Sequence, residues 1–151
     1  MAKDYDNVIK TCEKLIPVNE KMNDPWAVAK NFETIVLSSI EREDGKRLNA
    51  DTLINRTTRA GTYFKLSKSL NKYMKLVQRV AEYFQEIGKD KEAENIYKEL
   101  LNDLDEAEMD YERTEMTHDF CQLLLKNDKP QECLSVLERE LNLKLKEKPA
   151  G

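Results

Sequence analysis

Glycine and proline are scarce, four of each in 151 residues. That supply is too small for the tight turns a strand-rich fold requires, so the chain reads as all-α. No run approaches the roughly 18 consecutive apolar residues that span a bilayer, and the N-terminus has no charged-then-apolar leader, so a cytoplasmic protein without membrane contact is expected. Histidine occurs once, at His118. A metal centre needs several converging ligands, so no metal is expected. The three cysteines, Cys12, Cys121 and Cys133, are odd in number, lack CxxC spacing and fall on apolar stripes, which predicts small buried hydrophobes rather than redox chemistry.

What is present is amphipathic. Hydrophobic residues make up 40% and charged residues 36% of the chain, so a core can form only if the helices carry heavily charged outer faces. Apolar spacing of three and four predicts a helix over residues 4–16 (Tyr5, Val8, Ile9, Cys12, Leu15, Ile16), stopped by Pro17. Asn23-Asp24-Pro25 opens a second helix with a stripe of Trp26, Ala29, Phe32, Glu33, Val36, Leu37 and Ile40, apolar except Glu33, and the polar residues 41–47 read as a loop and hinge. Asp51 is expected to cap a third helix to about Leu66, in which Gly61 marks a close helix contact or a break. Ser67 or Ser69 caps a fourth, with Leu70, Tyr73, Met74, Val77, Val80, Ala81, Phe84 and Ile87 inward, ending at Gly88.

A fifth helix starts at Asp90 and carries Ala93, Ile96, Tyr97, Leu100, Leu101 and Leu104. The acidic run Asp105-Glu106-Ala107-Glu108 suits the start of a sixth, where carboxylates meet the positive end of the helix dipole. Tyr111, Thr114, Thr117, Phe120, Cys121 and Leu124 would face inward there. Pro130 starts a last helix lined by Cys133, Leu134, Leu137, Leu141 and Leu145. A single helical domain over residues 1–147 is expected, followed by a frayed tail at 148–151.

One spaced pattern occurs twice. Ala81, Phe84, Gly88, Ala93 and Tyr97 place small, large, turn, small and large residues in order, and Cys121, Leu124, Asp128, Cys133 and Leu137 repeat that order forty residues later. Both stretches resemble tetratricopeptide repeats, helix-turn-helix units of about 34 residues that stack as solenoids. The resemblance covers residues 70–145 and departs from the family in its longer spacing and in having Asp128 where a turn glycine is usual. It implies antiparallel helix pairs, six to seven helices in all, stacked as a short right-handed superhelix, with Ala81 facing Ala93 and Cys121 facing Cys133. Residues 4–66 would then supply divergent N-terminal helices, because two units are too few for a continuous core.

The resemblance also implies a non-catalytic binding module. A concave groove would be lined by Lys75, Gln78, Glu82 and Gln85 from one copy and by Glu115, His118, Gln122 and Leu125 from the other, and would take a helical or extended segment of another protein. The isolated glycines form no phosphate-cradling loop, and no GKS or GKT triplet or G-x-S-x-G elbow occurs, so neither enzyme nor cofactor is expected. His118 stands one turn from Cys121, a base and thiol spacing that the buried place of Cys121 opposes.

Two further readings compete. Residues 42–79 hold ten bases against three acids, interleaved with Tyr63, Phe64 and Tyr73, as a nucleic-acid surface would require, whereas residues 80–113 hold twelve acids against four bases. Alternatively, leucines on more than one face of the last helix suit a homodimer or a subunit of a larger complex.

Overall fold

The computed structural model describes residues 4–42 and 45–147. Among them every regular element is a helix: α1 (Tyr5–Lys21), α2 (Pro25–Glu41), α3 (Ala50–Leu66), α4 (Leu70–Glu86), α5 (Asp90–Glu106), α6 (Asp110–Lys126) and α7 (Pro130–Glu147). The all-α class and the helix count expected from the sequence are both found. The predicted tail at 148–151 and residues 43–44 of the predicted loop lie outside the described residues. The chain divides into two compact units, Met1–Ile96 and Tyr97–Gly151. In the first, α1 packs on α2, α2 on α3 and α3 on α4; in the second, α6 packs on α7.

Helices α1 to α6 are all 17 residues long, about 25 Å, and from α4 onward each begins twenty residues after the one before. A pair therefore occupies forty residues, which accounts for the spacing of the two copies. The turns share one device. Gly88 has φ 76°, and the Lys89 and Gly88 amides donate to the Phe84 and Gln85 carbonyls at 2.7 and 3.1 Å, satisfying orphan acceptors at the end of α4. Asn23, Lys68, Glu108 and Asp128 take the same left-handed conformation with φ between 54° and 58°. The following amides donate to Asn19, Phe64, Leu104 and Leu124 in the matching bond.

Counting from the first residue of each helix, four contacts within the units share one register: the eighth or twelfth residue of one helix meets the fourth or eleventh of the next. In the first unit, Cys12 (eighth in α1) clusters with Ile35 (eleventh in α2), and Tyr73 (fourth in α4) lies over Gly61 (twelfth in α3). In the second, Tyr97 (eighth in α5) stacks on Phe120 (eleventh in α6) with ring centroids 5.6 Å apart. There too, Cys121 Sγ (twelfth in α6) lies 4.0 Å from the carbonyl oxygen of Cys133 (fourth in α7). Gly61 thus marks a close contact, not a break.

Several local expectations are corrected. Helix α1 does not stop at Pro17 but runs to Lys21. Proline removes one backbone bond, at a cost of about 3 kcal/mol, and α1 continues through it while packed on α2, with Ile9 and Cys12 against Ile35 and the Asn19 side-chain amide donating to Asn31 Oδ1 at 2.7 Å. The cap of α3 is Asn49, which accepts from the Thr52 amide at 2.8 Å, rather than Asp51. Ser69 holds the cap position of α4 but turns its hydroxyl to the Ser67 carbonyl.

The polar stretch after α2 is not all solvated. Glu41 is still helical, and Arg42 is buried with its guanidinium 2.9 Å from Asp6. The acidic run is not a helix start: Asp105 and Glu106 end α5 and residues 107–109 form the turn. Trp26, Ile87, Leu134, Leu141 and Leu145 face solvent instead of the core, and Tyr111 is 79% exposed. On α6 the inward side chains are Arg113, Met116, Thr117, Phe120, Cys121, Leu123 and Leu124.

Candidate partner-binding surfaces

Helix α4 buries Tyr73, Met74, Leu76, Val77, Val80, Ala81, Tyr83 and Phe84. Its opposite side carries Lys75, Gln78, Glu82 and Gln85 at three- and four-residue steps, so they form one row along about 15 Å of axis. Lys75 and Glu82 are exposed, and Gln78 and Gln85 half-buried. In the second unit, Glu115, His118, Gln122 and Leu125 repeat that spacing on α6, and all four are exposed. Both rows therefore present mixed polar side chains on helices whose other faces are locked into a core.

The packing residues of the two copies fall mostly inside. Ala81, Phe84, Ala93, Tyr97, Cys121, Leu124 and Cys133 are buried, and Gly88 provides the left-handed turn; Asp128 does so at the second turn. Leu137 differs, being exposed at 37%.

Burial, then the hydrogen bond and charge of Cys133, push the Cys121 thiol up to about 12, and burial raises Cys12. A thiolate is the reactive form, so this shift works against a thiolate at Cys121 although His118 stands one turn away. Among the described residues no group of three or more His, Cys, Asp or Glu is placed to hold a metal ion. Nor is any helix among them long and apolar enough to cross a membrane.

The basic stretch has little to stack a base on. Phe64 and Tyr73 are core residues, and the half-buried Tyr63 donates its hydroxyl to Glu20 at 2.9 Å. Several cations are engaged within the first unit as well. Arg47 lies 5.3 Å from the Tyr83 ring centroid and Arg59 5.3 Å from that of Phe32, while Arg79 reaches Glu41 at 3.2 Å.

Composition did not single out Arg113. It is 2% exposed, with Nε 2.7 Å from Glu140 and Nη1 2.9 Å from Asp110 and 3.4 Å from Asp105. The Thr114 hydroxyl donates to the other Glu140 oxygen at 2.8 Å. This buried pair lines one end of a cavity of about 330 Å³, walled by Leu101, Phe120, Val136 and Leu143, with the exposed Lys98 and Arg139 also on its lining. The signal was available: Arg113 is the fourth residue of its helix, where α2 to α5 place Val28, Leu53, Tyr73 and Ala93. A polar residue in that register must bring its own partners into the core.

Comparison with protein-family models, with curated proteins and with solved structures finds no match to this chain.

Proposed function

We propose that the chain is a non-catalytic, tetratricopeptide-like adaptor that binds a helical or extended internal segment of another protein. The observation that carries this reading is the pair of outward rows, Lys75-Gln78-Glu82-Gln85 on α4 and Glu115-His118-Gln122-Leu125 on α6. Each stands on a helix whose remaining faces are committed to packing, so a ligand meets a preformed surface and little ordering cost. The approach of Cys121 to Cys133 supports the repeat assignment, since small residues at that crossing let two helix axes come close. The mixture of amide, acid, base and one leucine suits polar recognition of a polypeptide and lacks the clustered bases that clamp a terminal carboxylate.

Affinity capture tests this with the intact chain and two variants, Lys75→Ala/Gln78→Ala and His118→Ala/Gln122→Ala. A protein retained by the wild type and lost from either variant, with far-ultraviolet circular dichroism unchanged, supports the assignment. Equal capture by all three removes it.

A further inference from the structure

We propose that copies of this chain associate end to end, the outer face of α7 on one copy packing against the outer face of α1 on the next. The register that packs the helices within each unit leaves two complementary faces open. The fourth and eleventh residues of α2 to α7 are buried, and so are the eighth residues of α1 to α6. The register fails at two places, and they are complementary. In α1 the fourth and eleventh residues, Val8 and Leu15, are 40% and 41% exposed. In α7 the eighth and twelfth, Leu137 and Leu141, are 37% and 56% exposed.

All four are large and apolar, although solvent exposure would favour polar residues there. Contiguous exposed rows of this kind mark interaction sites. Val18 on α1 and Met22 just past its end extend the first row, and Leu134 and Leu145 extend that on α7. The two surfaces need what the other has: α7 offers the eighth and twelfth residues that meet a following helix, and α1 offers the fourth and eleventh that meet a preceding one. Joining them continues a packing geometry already seen at Cys12 with Ile35, Gly61 with Tyr73, Tyr97 with Phe120 and Cys121 with Cys133. The contact is heterologous: two copies joined once still hold one unpaired α1 face and one unpaired α7 face, which take a further copy or meet each other in a closed ring.

Sedimentation equilibrium of the intact chain from micromolar to millimolar concentration reads this directly. The weight-average mass is expected to climb from 17.7 kDa to at least twice that value. Leu15→Glu and Leu141→Glu, both at exposed positions, are each expected to stay monomeric with unchanged helicity. An equimolar mixture of the two retains one good α1 face and one good α7 face, so it forms a dimer and nothing larger. A wild type that stays monomeric throughout overturns the proposal. So does a Leu15→Glu variant that still dimerises, which would mean α7 pairs with α7, and so does a mixture that fails to associate.

Discussion

Gly61→Ala is expected to destabilise the first unit although alanine is the better helix former. In an unconstrained helix interior the substitution gains about 1 kcal/mol. Here an ideal Cβ on Gly61 would fall 2.5, 2.7 and 2.8 Å from Cζ, Cε1 and Cε2 of Tyr73, whereas carbon atoms rest about 3.5–4.0 Å apart. Tyr73 is 1% exposed, so its ring cannot swing into solvent and the two helices must separate. Overpacking of a tight core costs about 1–3 kcal/mol, and a shortfall of this size belongs at the upper end. The net loss is then about 2 kcal/mol, which lowers the urea midpoint by about 1 M at a slope of about 2 kcal/mol/M. Denaturation followed by circular dichroism measures it. Repeating the substitution in a Tyr73→Leu background isolates the cause: with the ring gone, Gly61→Ala becomes neutral or stabilising. A stabilising Gly61→Ala in the wild-type background refutes the contact.

Other perturbations address the second unit and the turns. Arg113→Met strands the buried Glu140 carboxylate and should cost about 3–5 kcal/mol in thermal or urea unfolding, whereas Arg113→Met with Glu140→Leu should recover most of it; a single variant losing under about 1 kcal/mol contradicts the role given to this pair. Tyr97 is pushed up to about 12 from 10.0, first by burial and then by the charge of Asp119. Its neutral form is favoured in the folded state, so the stability it contributes is whole below about pH 10 and is lost as pH rises toward about 12. Tyr97→Phe should flatten the alkaline decline of stability, leaving the part due to Cys121, and an unchanged decline counts against this account. Lys68→Gly and Glu108→Gly relieve left-handed backbone and should each stabilise by up to about 1 kcal/mol in the same unfolding assays, whereas a loss shows that those turns tolerate the side chains without strain.

The sequence was most legible where chain chemistry acts alone. Pro25 and Pro130 open helices and Gly88 ends one, as their backbone preferences require, and the spacing of Cys121 and Cys133 picked out two residues that do meet. It was least legible where packing overrides a local preference. A dipole term of about 0.3–1 kcal/mol drew the acidic run toward a helix start, but the twenty-residue helix period placed Asp105 at the end of α5, where it pairs with Arg113 and Arg139.

Inward faces read chiefly from apolar residues missed a polar one that carries a partner, while Thr57, expected to face inward, is buried with its hydroxyl donating to the Leu53 carbonyl at 2.7 Å. The missed residue is Ser39, which is buried and accepts from the Leu48 amide at 2.8 Å. The leucines of α7 misled in the opposite direction. Apolar spacing shows that a face is sticky, and only the placement of neighbouring helices shows whether anything covers it. The spacing of the two outward rows on α4 and α6 follows from helical period, but their chemistry is too mixed to name a ligand, which is why they were visible as surfaces and not as a specificity.

Hydrogen–deuterium exchange of the intact chain, alone and with a protein it captures, tests the binding account most directly. Bound partner is predicted to slow exchange in peptides covering residues 75–85 and 115–125 while leaving the turn at residues 107–109 unchanged. Protection confined to α1 and α7, with both rows exchanging as in the free chain, would contradict it.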